Sequence, residues 1–263
     1  MRPLAVALAG RGLVDPDEPV FHADDEAVVR GAAAFETIRV RAGNAVFLDR
    51  HLDRLTRSAL ALGLAAPEGA HALAEQAVEA AGTDEGAMRV YWTGRTLVAT
   101  VSPLPPGLDG LRARGLQLVT FRSGAVPGLL AGVKATSYAA NMAAVAEAER
   151  RGADDALFLG EGETVLELTT SNAWWRDGDV LSTPATATGV LPGVTRGAIA
   201  ELAREAGLRV REGVFTLPML LRAEEAFASS AVREIVPVVS VDGRELGRGP
   251  AAGELQQLLA AVR

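Results

Sequence analysis

The sequence predicts a mixed α+β protein in two halves. Three observations carry this. Strand-like and amphipathic helical runs are interleaved without the regular strand–helix alternation of a doubly wound sheet. No glycine fingerprint of a dinucleotide-binding turn follows a strand. One stretch, PPGLDGLRARG at 105–115, is rich in proline and glycine and reads as a linker. The 263 residues, 49% hydrophobic and 22% charged, suffice for one large core or two modest ones.

In chain order, PLAVALAG reads as a first strand. AAFETIRV, the turn RAGN and AVFLD read as a β-hairpin. DRHLDRLTRSALALGL is an amphipathic helix with Leu52, Leu55, Ala59 and Leu62 on its apolar face. A second helix is expected over 67–81, then two strands, AMRVYWT and TLVATVSPL. After the linker come a strand, LQLVTF, and a loop leading to Lys134. SYAANMAAVAEAERRG is an alanine-rich helix with Ser137 as cap and Gly152 as stop. DALFLG, TVLELTT and NAWWRDGDVLSTP are strands, the last folded by an Asp-Gly turn. LPGVTRGAIAELAREAGL is a helix, and EEAFASS and EIVPVVSVDGREL close the chain as strands.

Composition excludes several function classes. The net charge of −7 speaks against nucleic acid and anionic membranes as partners. The absence of cysteine excludes disulfides and thiol catalysis. His22, His51 and His71 lie far apart and in no metal-ligand spacing, so no metal is expected. The N-terminal apolar run is interrupted by Gly10 and Arg11 and is too short to span a bilayer, so a cytoplasmic protein is expected.

Lys134 is the single lysine among 26 basic residues. A guanidinium stays protonated at any usable pH, whereas an amine can lose its proton and attack a carbonyl. A surface remnant of a bias toward arginine is the plain alternative. Pyridoxal phosphate chemistry needs more than the amine: a helix N-terminus and an arginine for phosphate, a carboxylate for the ring nitrogen, and a donor for the 3-oxygen. LPGVTR opens a helix, with free N–H groups near Val194 and Thr195. Arg50, Arg54 and Arg57 share a helix face, a row that is usually solvated surface unless one member turns inward. Glu167 lies in an otherwise apolar strand and needs a cationic partner if it faces inward. Tyr138 lies four residues after Lys134 and could donate to the 3-oxygen, or be a core aromatic at a helix start.

The segments RGAAAFETIRV, HLDRL, GVKATSYAANMAAVAEAERRGADDALFL, VLELTTSNAWW, LPGVTRGAIAELA and AFASSAVREIVPV, in this order, resemble the class IV aminotransferases, the fold-type IV pyridoxal phosphate enzymes. The resemblance spans nearly the whole chain. It implies a small α/β domain (1–110), a linker (111–115) and a larger pseudo-barrel domain (116–263) carrying the Schiff-base lysine, with pyridoxal 5'-phosphate in the cleft between the domains. It implies that Lys134 bonds the cofactor, Glu167 pairs with the pyridine nitrogen and Tyr138 bonds the 3-oxygen. Arg54, Val194, Thr195 and Ser230 would contact the phosphate, and Leu191 would pack on the ring. Phe35 would line the substrate pocket, and the N–H groups of Ser230 and Ala231 would meet a substrate carboxylate. It also implies a homodimer.

The chain departs from the family in its substrate half. Arg30 stands where an aromatic is common, and GAAAF replaces an Asp-Gly pair. Ala87 replaces the tyrosine of branched-chain enzymes while Arg89 is retained, and Arg95 is displaced by one position. The primary expectation is an aminotransferase moving an amino group from an amino donor to a 2-oxo acid. Arg30, Arg89 and Arg95 are then candidates for a second carboxylate of the donor. The alternatives are aminodeoxychorismate lyase, which releases pyruvate and 4-aminobenzoate from the same start, and a non-catalytic protein on the cofactor fold. Retention of Lys134, Tyr138 and Glu167 together argues against the last.

Overall fold

A computed structural model describes residues 2–122 and 128–262. Part of the loop expected before Lys134 lies outside them. The chain separates into two compact units. One is the chain up to Pro106 together with Val133–Tyr138; the other is Gly107–Gly132 with Ala139–Val262.

The first unit contains β1 (Ala5–Leu8), β2 (Gly12–Val14), α1 (Glu26–Arg30), β3 (Ala34–Arg41), β4 (Asn44–Ala45), α2 (Leu48–Ala61), α3 (Ala70–Ala81), β5 (Glu85–Trp92) and β6 (Leu97–Ser102). The strands form one antiparallel sheet in the order β2-β1-β6-β5-β3-β4. Side chains alternate across a strand. Ile38, Val40, Met88 and Val90 therefore share the face that packs on Leu55, Ala59, Leu73 and Ala77 of α2 and α3. Phe35, Thr37, Arg89 and Tyr91 take the opposite face, and each is partly or fully exposed. Strand β4 is shorter than AVFLD suggests, because Phe47 turns left-handed (φ 56°) and helix α2 begins at Leu48.

The second unit contains α4 (Leu108–Arg114), β7 (Leu116–Arg122), α5 (Ala139–Arg150), β8 (Asp155–Leu159), β9 (Val165–Leu168), β10 (Asn172–Asp177), β11 (Val180–Pro184), α6 (Val194–Glu205), β12 (Arg209–Gly213), α7 (Leu217–Leu220), β13 (Glu225–Ser230), β14 (Glu234–Val241), β15 (Arg244–Glu245) and α8 (Ala251–Ala261). Its sheet runs β12-β11-β10-β13-β14-β7-β8-β9, and β9 pairs back to β10 through Asn172 and Glu167. Six strands thus close into a ring, the barrel-like architecture expected. Leu118, Leu157, Leu168, Trp175, Phe215 and Val236 belong to its core, with the Trp175 and Phe215 rings edge to face at 5.0 Å. Helix α5 packs its small residues Ala144 and Ala148 on Ala156.

Several sequence expectations are corrected. The supposed linker holds helix α4, bounded by Gly107 and Gly115 at positive φ. At Gly115 a Cβ would lie 2.5 Å from Val239 Cγ1, so glycine is required by close approach as well as by φ. Ser137 does not cap α5; its hydroxyl donates to the Gly31 carbonyl at 2.8 Å, and the helix starts at Ala139. Lys134 lies in the segment that joins the first unit, not the second. Helices α1 and α8 were not anticipated. Among the described residues no helix is long and apolar enough to cross a membrane.

Phe215 is 2% exposed. Phe215→Ala should cost about 3–5 kcal/mol in urea unfolding, through lost burial and the cavity left behind. Leu129→Ala, at a fully exposed side chain, should change stability by no more than about 0.5 kcal/mol.

Candidate active site

The backbone of Val133–Tyr138 is tied to β3 and its neighbours. Phe35 N–H donates to Lys134 O (3.1 Å), and Thr136 N–H donates to Ala33 O (2.8 Å). Ala34 and Ala135 form an isolated antiparallel bridge. The Thr136 hydroxyl donates to Gly31 O at 2.8 Å, and Lys134 N–H donates to Ser58 Oγ of α2 at 3.1 Å. The backbone of a half-buried lysine is thereby fixed against β3 and α2. Its Nζ lies 4.4 Å from the centroid of the Phe35 ring and donates to Tyr138 Oη at 3.2 Å. Phe35 and Tyr138 meet edge to face at 5.3 Å. Phe35 also stacks on its cross-strand partner Tyr91 at 6.0 Å. An aromatic face attracts the ammonium, and the phenol supplies a hydroxyl within proton-transfer reach.

The opposite face of β3 carries an acid in the core. Glu36 is in phase with Ile38 and Val40 and fully buried. An unpaired carboxylate there would be prohibitive, and α2 supplies two partners. Arg54 donates through Nε to Glu36 Oε1 and through Nη2 to Oε2, both at 2.7 Å. His51 Nδ1 lies 2.7 Å from Oε2; a carboxylate only accepts, so this nitrogen carries the hydrogen. Burial pushes the Glu36 carboxyl up, but Arg54 and then His51 outweigh it and hold the group at about 2. Burial lowers His51, and the charges of Arg54 and Lys134 lower it further against the pull of Glu36. Glu36 and His51 were missed in the sequence. Their signal was phase: an acid in step with Ile38 and Val40, and a histidine four residues before Leu55 on the buried helix face.

In the second unit, Glu167 accepts from Leu191 N–H at 3.2 and 3.1 Å and from Asn172 Nδ2 at 3.2 Å. Asn172 Nδ2 also donates to Leu191 O at 2.9 Å. Asn172, likewise missed, therefore orients the acid and the loop that enters α6. That helix starts at Val194 with Gly193 as its cap, and no side chain caps it. Thr195 is buried in its first turn. A Cβ on Gly193 would fall 2.1 Å from Asn172 Oδ1, so only glycine fits between the asparagine and the helix. Ser230 and Ala231 lie at the β13–β14 connection. Glu234, left-handed at φ 57°, ends that turn and is held by Arg112 and Gln256 at 2.8 and 2.9 Å.

The structure thus brings Lys134, Tyr138 and Phe35 together, and Glu167 and Leu191 together. Arg54 is the inward member of the arginine row. Arg30 is exposed and paired with Glu26 one turn back, and Arg95 pairs with Asp24 at 3.2 Å. Arg89 is exposed on β5, on the same sheet face as Tyr91. The first unit holds a half-buried primary amine, a phenol hydroxyl and a buried arginine; the second, taken by itself, holds an oriented carboxylate and a helix start with no side-chain cap. These are residue types that a phosphorylated pyridine aldehyde requires.

The Amino-transferase class IV family profile matches residues 33–241. The chain belongs to this family. It is 34% identical over 285 aligned residues to the bifunctional aminodeoxychorismate lyase / D-amino acid transaminase of Mycobacterium tuberculosis, covering 98% of each chain. Among solved structures, it resembles a hypothetical aminotransferase from M. tuberculosis in its PLP-bound form, with 31% identity, a TM-score of 0.91 and 98% of each chain covered. The form of that protein with α-ketoglutarate and PMP bound gives 32% identity and a TM-score of 0.92, over 98% of this chain and 99% of that one. This class IV chain is therefore an enzyme whose relatives include both aminotransferases and aminodeoxychorismate lyases.

Two outcomes follow from the geometry. Gly193→Ala forces Asn172 aside and should cost about 1–3 kcal/mol; in urea unfolding, Asn172→Ala in the same chain should relieve part of that cost. For Glu36, the folded value of about 2 lies below the ordinary 4.5. Its stabilisation, about 3 kcal/mol, is therefore complete above the unfolded value and is lost as pH falls from there toward the folded value. Urea unfolding at about pH 6 and about pH 3 should show a smaller drop for Glu36→Gln than for wild type.

Proposed function

We propose that this class IV enzyme is a pyridoxal 5'-phosphate-dependent aminotransferase, moving an amino group from an amino acid or amine to a 2-oxo acid. The observation that carries the reading is the single lysine of the chain, held by backbone on β3 with its amine against the Phe35 ring and the Tyr138 hydroxyl. When bound, the cofactor supplies a carbonyl for that amine and a ring that withdraws electrons from the substrate carbon.

The residues then divide the work. Lys134 Nζ would hold the cofactor covalently, and the same amine would take and return the proton at the substrate carbon. Tyr138 donates to the 3-oxygen. Glu167, its carboxylate fixed by Leu191 N–H and Asn172, keeps a proton on the ring nitrogen. Leu191 covers the ring. Arg54, the N–H groups of Val194 and Thr195, the Thr195 hydroxyl and Ser230 bind the phosphate. Phe35 lines the substrate side, with the N–H groups of Ser230 and Ala231 for a carboxylate. Among the three arginines, Arg89 is the best candidate for a second substrate carboxylate, since Arg30 and Arg95 are each engaged by an acid. A homodimer in the cytoplasm completes the proposal.

One observation favours a second reading. The M. tuberculosis relative is described as both lyase and transaminase. Cleavage of aminodeoxychorismate to 4-aminobenzoate and pyruvate needs the same proton removal by Lys134, so one set of residues could serve both reactions.

Borohydride should fix one cofactor per wild-type chain, on the peptide containing Lys134, and none on Lys134→Arg, which should fold but not turn over. A fully active Lys134→Arg would overturn the reading, because no second lysine can substitute. Amino donors mixed with stoichiometric enzyme should leave pyridoxamine phosphate. If none does, while aminodeoxychorismate yields pyruvate over many turnovers, the lyase is the activity.

A further inference from the structure

We propose that Glu36 is a positioning residue: it fixes the guanidinium plane of Arg54, and through Arg54 it sets the grip on the cofactor phosphate. This rests on the reading above that the enzyme holds pyridoxal 5'-phosphate.

Core stability does not account for Glu36. The carboxylate sits on a sheet face otherwise made of Ile38, Val40, Met88 and Val90. Replacing a buried ion pair by apolar groups of similar volume is often neutral or stabilising, so packing alone does not call for an acid here. What the acid supplies is geometry. Its two oxygens take Nε and Nη2 of Arg54 in a fork. Such a bidentate pair defines the plane and the rotation of the guanidinium, which a single hydrogen bond does not. The third hydrogen bond, from His51, comes from the same helix one turn earlier and prevents the carboxylate from turning. All three side chains are buried.

The neighbours connect this network to the lysine. Ser58, one turn after Arg54 on α2, accepts from Lys134 N–H. Phe35, next to Glu36 on β3, donates from its backbone to Lys134 O and places its ring under the amine. One dipeptide thus holds both groups: Phe35 the lysine, by its backbone and ring, and Glu36 the arginine, by its carboxylate. An opposing effect must be weighed. The negative charge of Glu36 offsets that of Arg54, so electrostatics alone predicts that removing it would tighten phosphate binding. The inference is that orientation outweighs this gain.

The test uses the full-length protein stripped of cofactor, with pyridoxal 5'-phosphate and unphosphorylated pyridoxal as probes and dissociation constants read from the absorbance of the bound form. Glu36→Gln should weaken pyridoxal 5'-phosphate on the order of tenfold, the scale at which loss of an orienting partner weakens a bound group, and leave pyridoxal unchanged. Glu36→Gln combined with Arg54→Gln should bind like Arg54→Gln alone, because the first change acts only through the second. Equal weakening of both probes would reduce Glu36 to a structural role. Unchanged or tighter binding of pyridoxal 5'-phosphate would overturn the inference. Should Glu36→Gln fail to fold by circular dichroism, Glu36→Asp keeps the charge but is too short for the fork, and the same selective loss is expected. A wild type that fixes neither probe on Lys134 would instead overturn the cofactor reading itself.

Discussion

A full negative charge inside an apolar layer is the constraint around which the first unit is arranged. Glu36 tolerates burial only because α2 delivers Arg54 and His51 to it, and α2 can do so only if it lies across β3 at one rotation. That rotation also turns Ser58 toward the Lys134 backbone and Leu55 and Ala59 into the core. Polar and apolar demands on the helix therefore agree. A helix held by burial alone could slide or roll at modest cost; one held by a bidentate pair and a histidine cannot.

The second unit reaches a comparable fixity by a different route. Its ring of strands closes where Glu167 of β9 meets Asn172 of β10. The same two residues bond each other through their side chains, and both bond Leu191 ahead of α6. Fold closure and placement of the Glu167 carboxylate are one event there. Gly193 is part of it, since any side chain would displace Asn172.

Much of this was legible in the sequence, for reasons that particular residues make clear. Lys134 stood out because the chain uses arginine at every other basic position. Glu167 stood out as a charge among β-branched and apolar neighbours, and the barrel strands were visible as short apolar runs between turns. On periodicity alone Arg54 could not be separated from Arg50 and Arg57, because a row of charges on a helix reads the same whether it faces water or a buried acid; only the family resemblance singled it out. Glu36 was hidden for the complementary reason: its partners lie 15 and 18 residues away on another element. The pairing of Val133–Tyr138 with β3 joins residues about a hundred positions apart, and no local pattern reports that. Helix α4 was obscured by the glycines that bound it, and α8 by following a run of strands.

The strand order of the second unit also bears on how the chain acquires its structure. β7 at Leu116–Arg122 lies beside β14 at Glu234–Val241, in parallel. During synthesis, β7 has one flank unpaired until more than a hundred further residues have emerged. The sheet of the first unit has all its strands by Ser102, so it can form while the second unit is still an open, sticky edge. Long-range parallel closure is slow. Closure of the second sheet therefore waits for β14, in the last third of the chain.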